Sequence, residues 1–204
     1  FMEDGGEKEA IAIWLNLCES EIEIQNSILN EKKYNKDSLE EELEKFKMLS
    51  SNEDTEKSLI SCKKLCNRLG IYLVICEAIT NSKVRGALTT YKGHPAIYIS
   101  GRFKSHPHIW FAIMHELSHL ILHYNKKEML ISLEDNQNER EKEANNFARS
   151  IIVSNEAYKT FVETGIFTKE RILTFADEQQ VLPCFVIAFL KHDRLIEYNQ
   201  FTYI

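Results

Sequence analysis

The 204-residue sequence contains no apolar run approaching the length that spans a bilayer, and its first residues do not form a signal peptide. Membrane insertion and secretion are therefore not expected. It has no excess of positive charge: 25 Lys and Arg stand against 31 Asp and Glu, a net charge of −6. Such a chain is a poor non-specific binder of nucleic acid. Cysteine is scarce and odd in number, five in all (Cys18, Cys62, Cys66, Cys76 and Cys184), without the pattern of a disulfide-stapled secreted domain. That usage fits a reducing cytoplasm. Cys62 and Cys66, four apart on an expected helix, have the spacing to share a metal, but packing as small buried hydrophobes accounts for them better. There is no internal repeat and no low-complexity tract. What remains is an ordinary globular composition, 44% hydrophobic and 27% charged, with the length of one large domain or a domain plus an appendage. The opening residues, Phe1-Met2-Glu3-Asp4-Gly5-Gly6, read as a cloning remnant or a cut inside a longer protein.

The chain is organised around residues 109–124, IWFAIMHELSHLILHY. The stretch is apolar almost throughout and holds neither Gly nor Pro, so it reads as a helix buried on most sides. Within it, His115, Glu116 and His119 form an H-E-x-x-H set. Positions four apart share one helix face, so His115 and His119 can aim two imidazoles at one point. Two neutral imidazole nitrogens at that spacing suit Zn²⁺. Glu116 can reach a water at that metal without ligating it, which is the place of a general base. The competing reading is a pair of core histidines satisfied by carbonyls. Burying two imidazoles and a carboxylate in an apolar helix is costly without partners, and a metal serves all three.

The rest of the chain predicts an α+β fold, mostly helical, with a small three-stranded antiparallel or mixed sheet beside the metal helix. A first helix is expected over residues 7–30, with Ala10, Ile11, Trp14, Leu15, Cys18, Ile22 and Ile28 near one face. A second runs over 38–48 behind a cap at Asp37 or Ser38, and a third over 55–69, ended by Gly70. Strands follow at 71–76, 84–91 and 96–100, the last two a hairpin through a turn at 92–95. Gly86 marks a bulge or a close backbone approach. Residues 125–138 read as a loop and 139–152 as a strong helix. Thr168 caps a further helix, Pro183 opens the last one, and 194–204 is an extended tail. The expected division is an N-terminal helical region over 1–69 packed on a domain over 70–204, or a single domain that includes both.

Catalysis by zinc needs a third protein ligand and one open position. The donor expected is an acid on the 139–152 helix, where Glu139, Glu141 and Glu143 compete. Ala144, Phe147, Ala148, Ile151 and Ile152 define the buried stripe. Glu141 lies roughly 50° from its centre, Glu143 roughly 110°, and Glu139 farther. Glu141 is therefore expected, with Glu143 the alternate. Asn145, four residues on, is placed to hydrogen-bond a ligand. His123 follows His119 by four but sits a further turn of about 5.4 Å along the axis, too far to close on the same ion. It is expected to support a ligand or pack in the core. His94, His106 and His108 precede the metal helix and could line the cleft, where one could stabilise an oxyanion, but a plain surface role accounts better for each.

HELSHLILH (residues 115–123) followed by EKEANNFARSIIV (residues 141–153) resembles the ImmA/IrrE metallo-endopeptidase domain. The segments IWLNLCESEI, CKKLCNRLGIYLVI, VRGALTTYKGHPAIYIS and FADEQQVLPCFVIAFLKHDRLIEYNQF share the likeness, which covers nearly the whole chain. They are similar to the long form, in which an N-terminal helix-turn-helix (XRE-like) DNA-binding domain precedes the peptidase domain. The close of the second motif departs from the family: Ile152-Val153-Ser154 replaces a leucine-rich, proline-ending segment, which bears on packing rather than ligation. The resemblance implies zinc on His115, His119 and Glu141, with Glu116 as base. It implies a protein substrate, a helix-turn-helix repressor of a mobile element or stress regulon, and DNA contact only through the upstream domain. A strand edge at 96–100 is expected to hold the substrate by strand addition. The alternative function is a non-proteolytic regulatory or sensor module of a transcription factor, serving homodimer formation or effector binding.

Overall fold

A computed structural model describes residues 3–26, 33–102, 105–133 and 138–202, with side chains in the first helix from Lys8 onward. The helices are α1 (Glu3–Gln25), α2 (Lys36–Glu41), α3 (Leu43–Ser50), α4 (Thr55–Arg68), α5 (His106–Leu122), α6 (Glu139–Ile152), α7 (Asn155–Glu163), α8 (Lys169–Glu178) and α9 (Pro183–His192). The strands are β1 (Tyr72–Cys76), β2 (Val84–Tyr91), β3 (His94–Ser100) and β4 (Leu130–Leu133), in the order β1-β3-β2-β4. β1 and β3 are parallel; β2 is antiparallel to both β3 and β4. The fold is α+β, mostly helical, with a mixed sheet of four strands rather than the three expected.

Both faces of the sheet are covered, which explains why β3 is buried at every position after His94 and apolar over 95–99. Ile97 and Ile99 face the large core with Leu73 and Leu88, against Trp110, Ile113, Met114 and Leu117 of α5. Ala96 and Tyr98 face a second cluster with Val74 and Ala87, against Trp14, Cys18 and Ile22 of α1. α1 thus presents residues four apart to the sheet, as its pattern predicts; Ile28 lies outside the described residues. Leu39, Phe46, Cys62 and Leu65 from α2, α3 and α4 join the large core with α5, α6, α8 and α9. Among the described residues no single helix is long and apolar enough to cross a membrane.

The β2–β3 hairpin turns through Lys92 and Gly93, at φ 47° and 83°. This is the two-residue turn whose positive φ values match the strand twist, and it starts β3 two residues earlier than expected. β3 therefore lies between β1 and β2, and the expected edge at 96–100 does not exist: its hydrogen-bonding groups are already paired on both sides. The sheet edges are β1 and β4. α1 covers β1, because Gln25 accepts from Ile75 N and donates to Ile75 O, and Asn26 accepts from Leu73 N. That leaves β4 as the edge without such cover among the described residues.

The remaining differences are local. The 38–48 segment is two helices broken at Glu42, capped by Asn35 rather than Asp37 or Ser38. Residues 155–163 form α7 behind a Ser154 cap, where no helix was expected. The tail after Asp193 is a series of turns, not an extended strand; Leu195 N donates to Leu190 O and Gln200 N to Glu197 O.

Candidate metal centre

α5 and α6 build the site. Ser105 and Pro107 start α5, and the helix then carries a nearly unbroken apolar sequence through the core. His115, Glu116 and His119 are held inside, at 5%, 1% and 1% exposure. α6 starts at Asn138, whose side chain accepts from the N–H of Glu141 at 3.0 Å. This cap fixes the first turn and the direction of Glu141, which is 6% exposed. Ala144 and Ala148 are fully buried and small enough to let α6 close on α5.

The three side chains converge. Glu141 oxygens lie 3.1 Å from His115 Nε2 and 3.2 Å from His119 Nε2, and the two nitrogens are 3.0 Å apart. These donor atoms all fall within 4.8 Å of one another. Donors about 2.1 Å from a tetrahedral zinc stand about 3.4 Å apart, so the set needs to open by only a few tenths of an ångström to hold one. Burial would raise the Glu141 carboxyl, but hydrogen bonds from the two imidazoles outweigh it and draw the group down to about 2. The pocket thus favours an ionised carboxylate beside two imidazoles, a set of donor atoms that could hold a metal ion.

Glu116 is the opposite case. Burial pushes its carboxyl up to about 7, against the pull of His119 and a hydrogen bond from Ser132. Its Oε2 is buried without a hydrogen-bond partner among the described residues. The room for this side chain comes from Gly86 on β2. A Cβ there would lie 2.5 Å from Glu116 Oε1 and 2.9 Å from its Cδ and Cγ. Gly86 also adjoins an irregularity in the β2–β4 pairing, between Val84 and Gly86. Of the two alternatives read from the sequence, the close approach is present, and the pairing irregularity lies beside it.

Ser132 of β4 had no signal in the sequence. Its Oγ lies 3.3 Å from His115 Nε2 and it hydrogen-bonds Glu116, so it ties the edge strand to both. The segment containing it reads as a polar loop, and a four-residue strand is too short for periodicity to detect. Asn145 lines the cleft and makes no hydrogen bond to the triad among the described residues. Glu143 points away from the triad and lies 2.9 Å from His123 Nε2. His123, at the end of α5, has its Nδ1 3.0 Å from His119 Nδ1. If His119 gives its Nε2 lone pair to a metal, the proton sits on Nδ1 and is donated to His123. His123 then carries its own proton on Nε2 and donates it to Glu143.

The earlier histidines divide. His94 sits at the start of β3, with Nδ1 3.0 Å from Gly70 O and its ring edge-on to Tyr72, outside the cleft. His106 bridges Thr55 Oγ1 and Ser50 O and so joins the α3–α4 turn to α5. Only His108 of the three lines the cleft. Cys62 and Cys66 are fully buried free thiols in the large core.

The cleft has a volume of about 400 Å³ and runs from His115 and Glu116 between α5, α6 and α9. The Peptidase_M78 family model, the IrrE N-terminal-like domain, matches residues 66–190, more than half the chain. The chain belongs to this family. The Peptidase_M78 match spans the sheet, α5 with its H-E-x-x-H set, α6 with Glu141, and the α9 wall of the cleft. A metallopeptidase-type domain and a buried His-His-Glu set able to hold a metal therefore coincide. No curated protein matches the chain significantly.

Proposed function

We propose that this chain is a zinc-dependent endopeptidase. The observation that carries the reading is the convergence of His115 Nε2, His119 Nε2 and a Glu141 oxygen beside a buried Glu116 on the wall of an open cleft. Bound to the three donors, zinc supplies Lewis acidity: it polarises a peptide carbonyl and makes water acidic enough to ionise near neutral pH. Glu116 is placed to accept the proton of the attacking water and to return it to the departing amine. Burial favours the protonated form of its carboxyl, which helps it take up that proton. Ser132 holds Glu116 and His115 in register with the edge strand.

An extended substrate is expected to add to β4, the edge strand carrying Ser132, rather than to β3. The family resemblance points to a helix-turn-helix repressor as that substrate. It also leaves DNA contact to a separate helix-turn-helix domain. The test is a comparison of the zinc-loaded chain with its Glu116→Gln variant against such a repressor. Cleavage by the first, and zinc retained with cleavage lost in the second, is the expected result. A variant that still relieves repression in cells would assign the domain to non-proteolytic regulation.

A further inference from the structure

The cleft beside the triad carries a charge pattern that peptide hydrolysis alone does not require. Its described lining includes Arg85, Arg149 and Lys191, and Glu116 is the one carboxylate among those residues. This excess of positive charge sits in a chain of net charge −6. Arg149 is already engaged, with Nη1 3.0 Å and Nη2 2.5 Å from the Asp193 carboxylate and its guanidinium against Tyr158 and Phe189. Arg85 is not. Neither Arg85 nor Lys191 has a carboxylate at salt-bridge distance among the described residues.

The fold directs Arg85 to this place. On β2, Val84 and Ala87 both face α1, whereas Leu88 faces the α5 side and Gly86 abuts Glu116. Strict alternation cannot give that pattern. The irregularity between Val84 and Gly86 makes Arg85 the extra residue, and a bulge of this kind re-aims a side chain. Arg85 joins His108, Phe111 and Ala112 on the cleft wall. Its Nε is buried without an acceptor, a condition that a ligand oxygen would relieve. Phe111 and Phe189 stand edge to face at 6.1 Å beside it, and Ala112 and Ala188 complete an apolar wall.

We propose that this cleft is a carboxylate-recognising subsite. Arg85 receives the carboxylate of a bound peptide, from an acidic side chain or a free C-terminus, while the adjoining apolar group packs on Phe111 and Phe189. The inference rests on the peptidase reading for the ligand being a peptide segment next to the scissile bond.

The test uses the zinc-loaded Glu116→Gln protein, which holds peptides without cutting them, and short fluorescein-labelled peptides containing one Phe. One carries Glu beside the Phe and an amidated end; one carries Gln and an amidated end; one carries Gln and ends in a free carboxylate. Fluorescence anisotropy should show a carboxylate peptide binding about tenfold or more tighter than the amidated Gln peptide. Which of the two does so identifies the source of the carboxylate. Adding Arg85→Met should abolish the preference while the amidated Gln peptide binds as before, and Arg85→Lys should keep part of it; zinc stoichiometry reports that both variants are folded. Equal affinities, a preference that survives Arg85→Met, or no binding of any peptide overturns the proposal. Wild-type protein that cuts all three peptides equally well sinks the subsite and leaves the peptidase. Wild-type protein that cuts nothing, with Arg85-dependent binding intact, sinks the peptidase and leaves a carboxylate site.

Discussion

Replacing Gly86 with Ala should separate the base from the metal. A Cβ at this position would stand 2.5 Å from Glu116 Oε1 and 2.9 Å from its Cδ and Cγ. Ordinary contact distances are about 3.5 Å, so the overlap is close to 1 Å. The backbone at Gly86 cannot easily retreat, because it is paired with Ile99 on one side and Ser132 on the other. Glu116, 1% exposed, has to move instead. Overpacking of this kind costs about 1–3 kcal/mol, and losing a positioned general base costs about 10²–10⁴ in rate. The nearest atoms to the added Cβ all belong to Glu116 and none to His115 or His119, so the metal should stay. The assay is a cycle of urea unfolding on the wild type, Gly86→Ala, Glu116→Ala and the double variant, with zinc content and peptide cleavage measured alongside. With Glu116 cut back to Ala the clash is gone, and Gly86→Ala should become neutral or stabilising by about 0.5–1 kcal/mol. An equal penalty in both backgrounds would refute the reasoning, as would full cleavage by Gly86→Ala.

Three further outcomes follow from the same geometry. His123→Asn and Glu143→Gln break the chain that orients His119 and should weaken zinc binding about 10–100-fold in a chelator competition; unchanged affinity in both would show that His119 needs no such support. In the metal-free protein the two site carboxyls act with opposite sign on stability. Glu116, raised by burial to about 7, binds more protons folded than unfolded, so its contribution is lost as pH rises from about 4.5 to about 7. Glu141, drawn down to about 2, stabilises above about 4.5 and loses that effect as pH falls toward 2. Each limb amounts to at most about 3 kcal/mol. Unfolding series across pH should show Glu116→Gln flattening the upper limb and Glu141→Gln the lower; limbs that persist would contradict the assignment. Ala148→Leu should force α6 away from α5, cost about 1–3 kcal/mol and weaken zinc binding, whereas Lys142→Leu on the exposed side of α6 should leave zinc binding unchanged.

The convergence of His115, His119 and Glu141 was legible in the sequence because the elements that carry them are helical. A fixed 100° per residue let His115 and His119 share one face and ranked Glu141 ahead of Glu143, which the structure turns toward His123 instead. The parts that were not legible depend on long-range pairing. β4 is four residues long and pairs with β2 across 42 to 49 positions of chain, so neither its existence nor the place of Ser132 could be read from local pattern. The same pairing decides which strand is an edge, and hence why the substrate edge expected at 96–100 lies in the middle of the sheet. His94 illustrates a related difficulty: its nearness to the motif in sequence says nothing about which end of the sheet it occupies. Gly86 stood out as a glycine within a strand, but only the position of Glu116 explains it.

Metal analysis with a competing chelator tests the central claim most directly. The wild-type chain should bind one zinc ion, with X-ray absorption reporting two imidazole nitrogens and a carboxylate oxygen. His119→Ala and Glu141→Gln should each lose the ion, while Glu116→Gln retains it. A chain that binds no zinc, or that binds it as tightly after Glu141→Gln, would contradict a centre built from His115, His119 and Glu141.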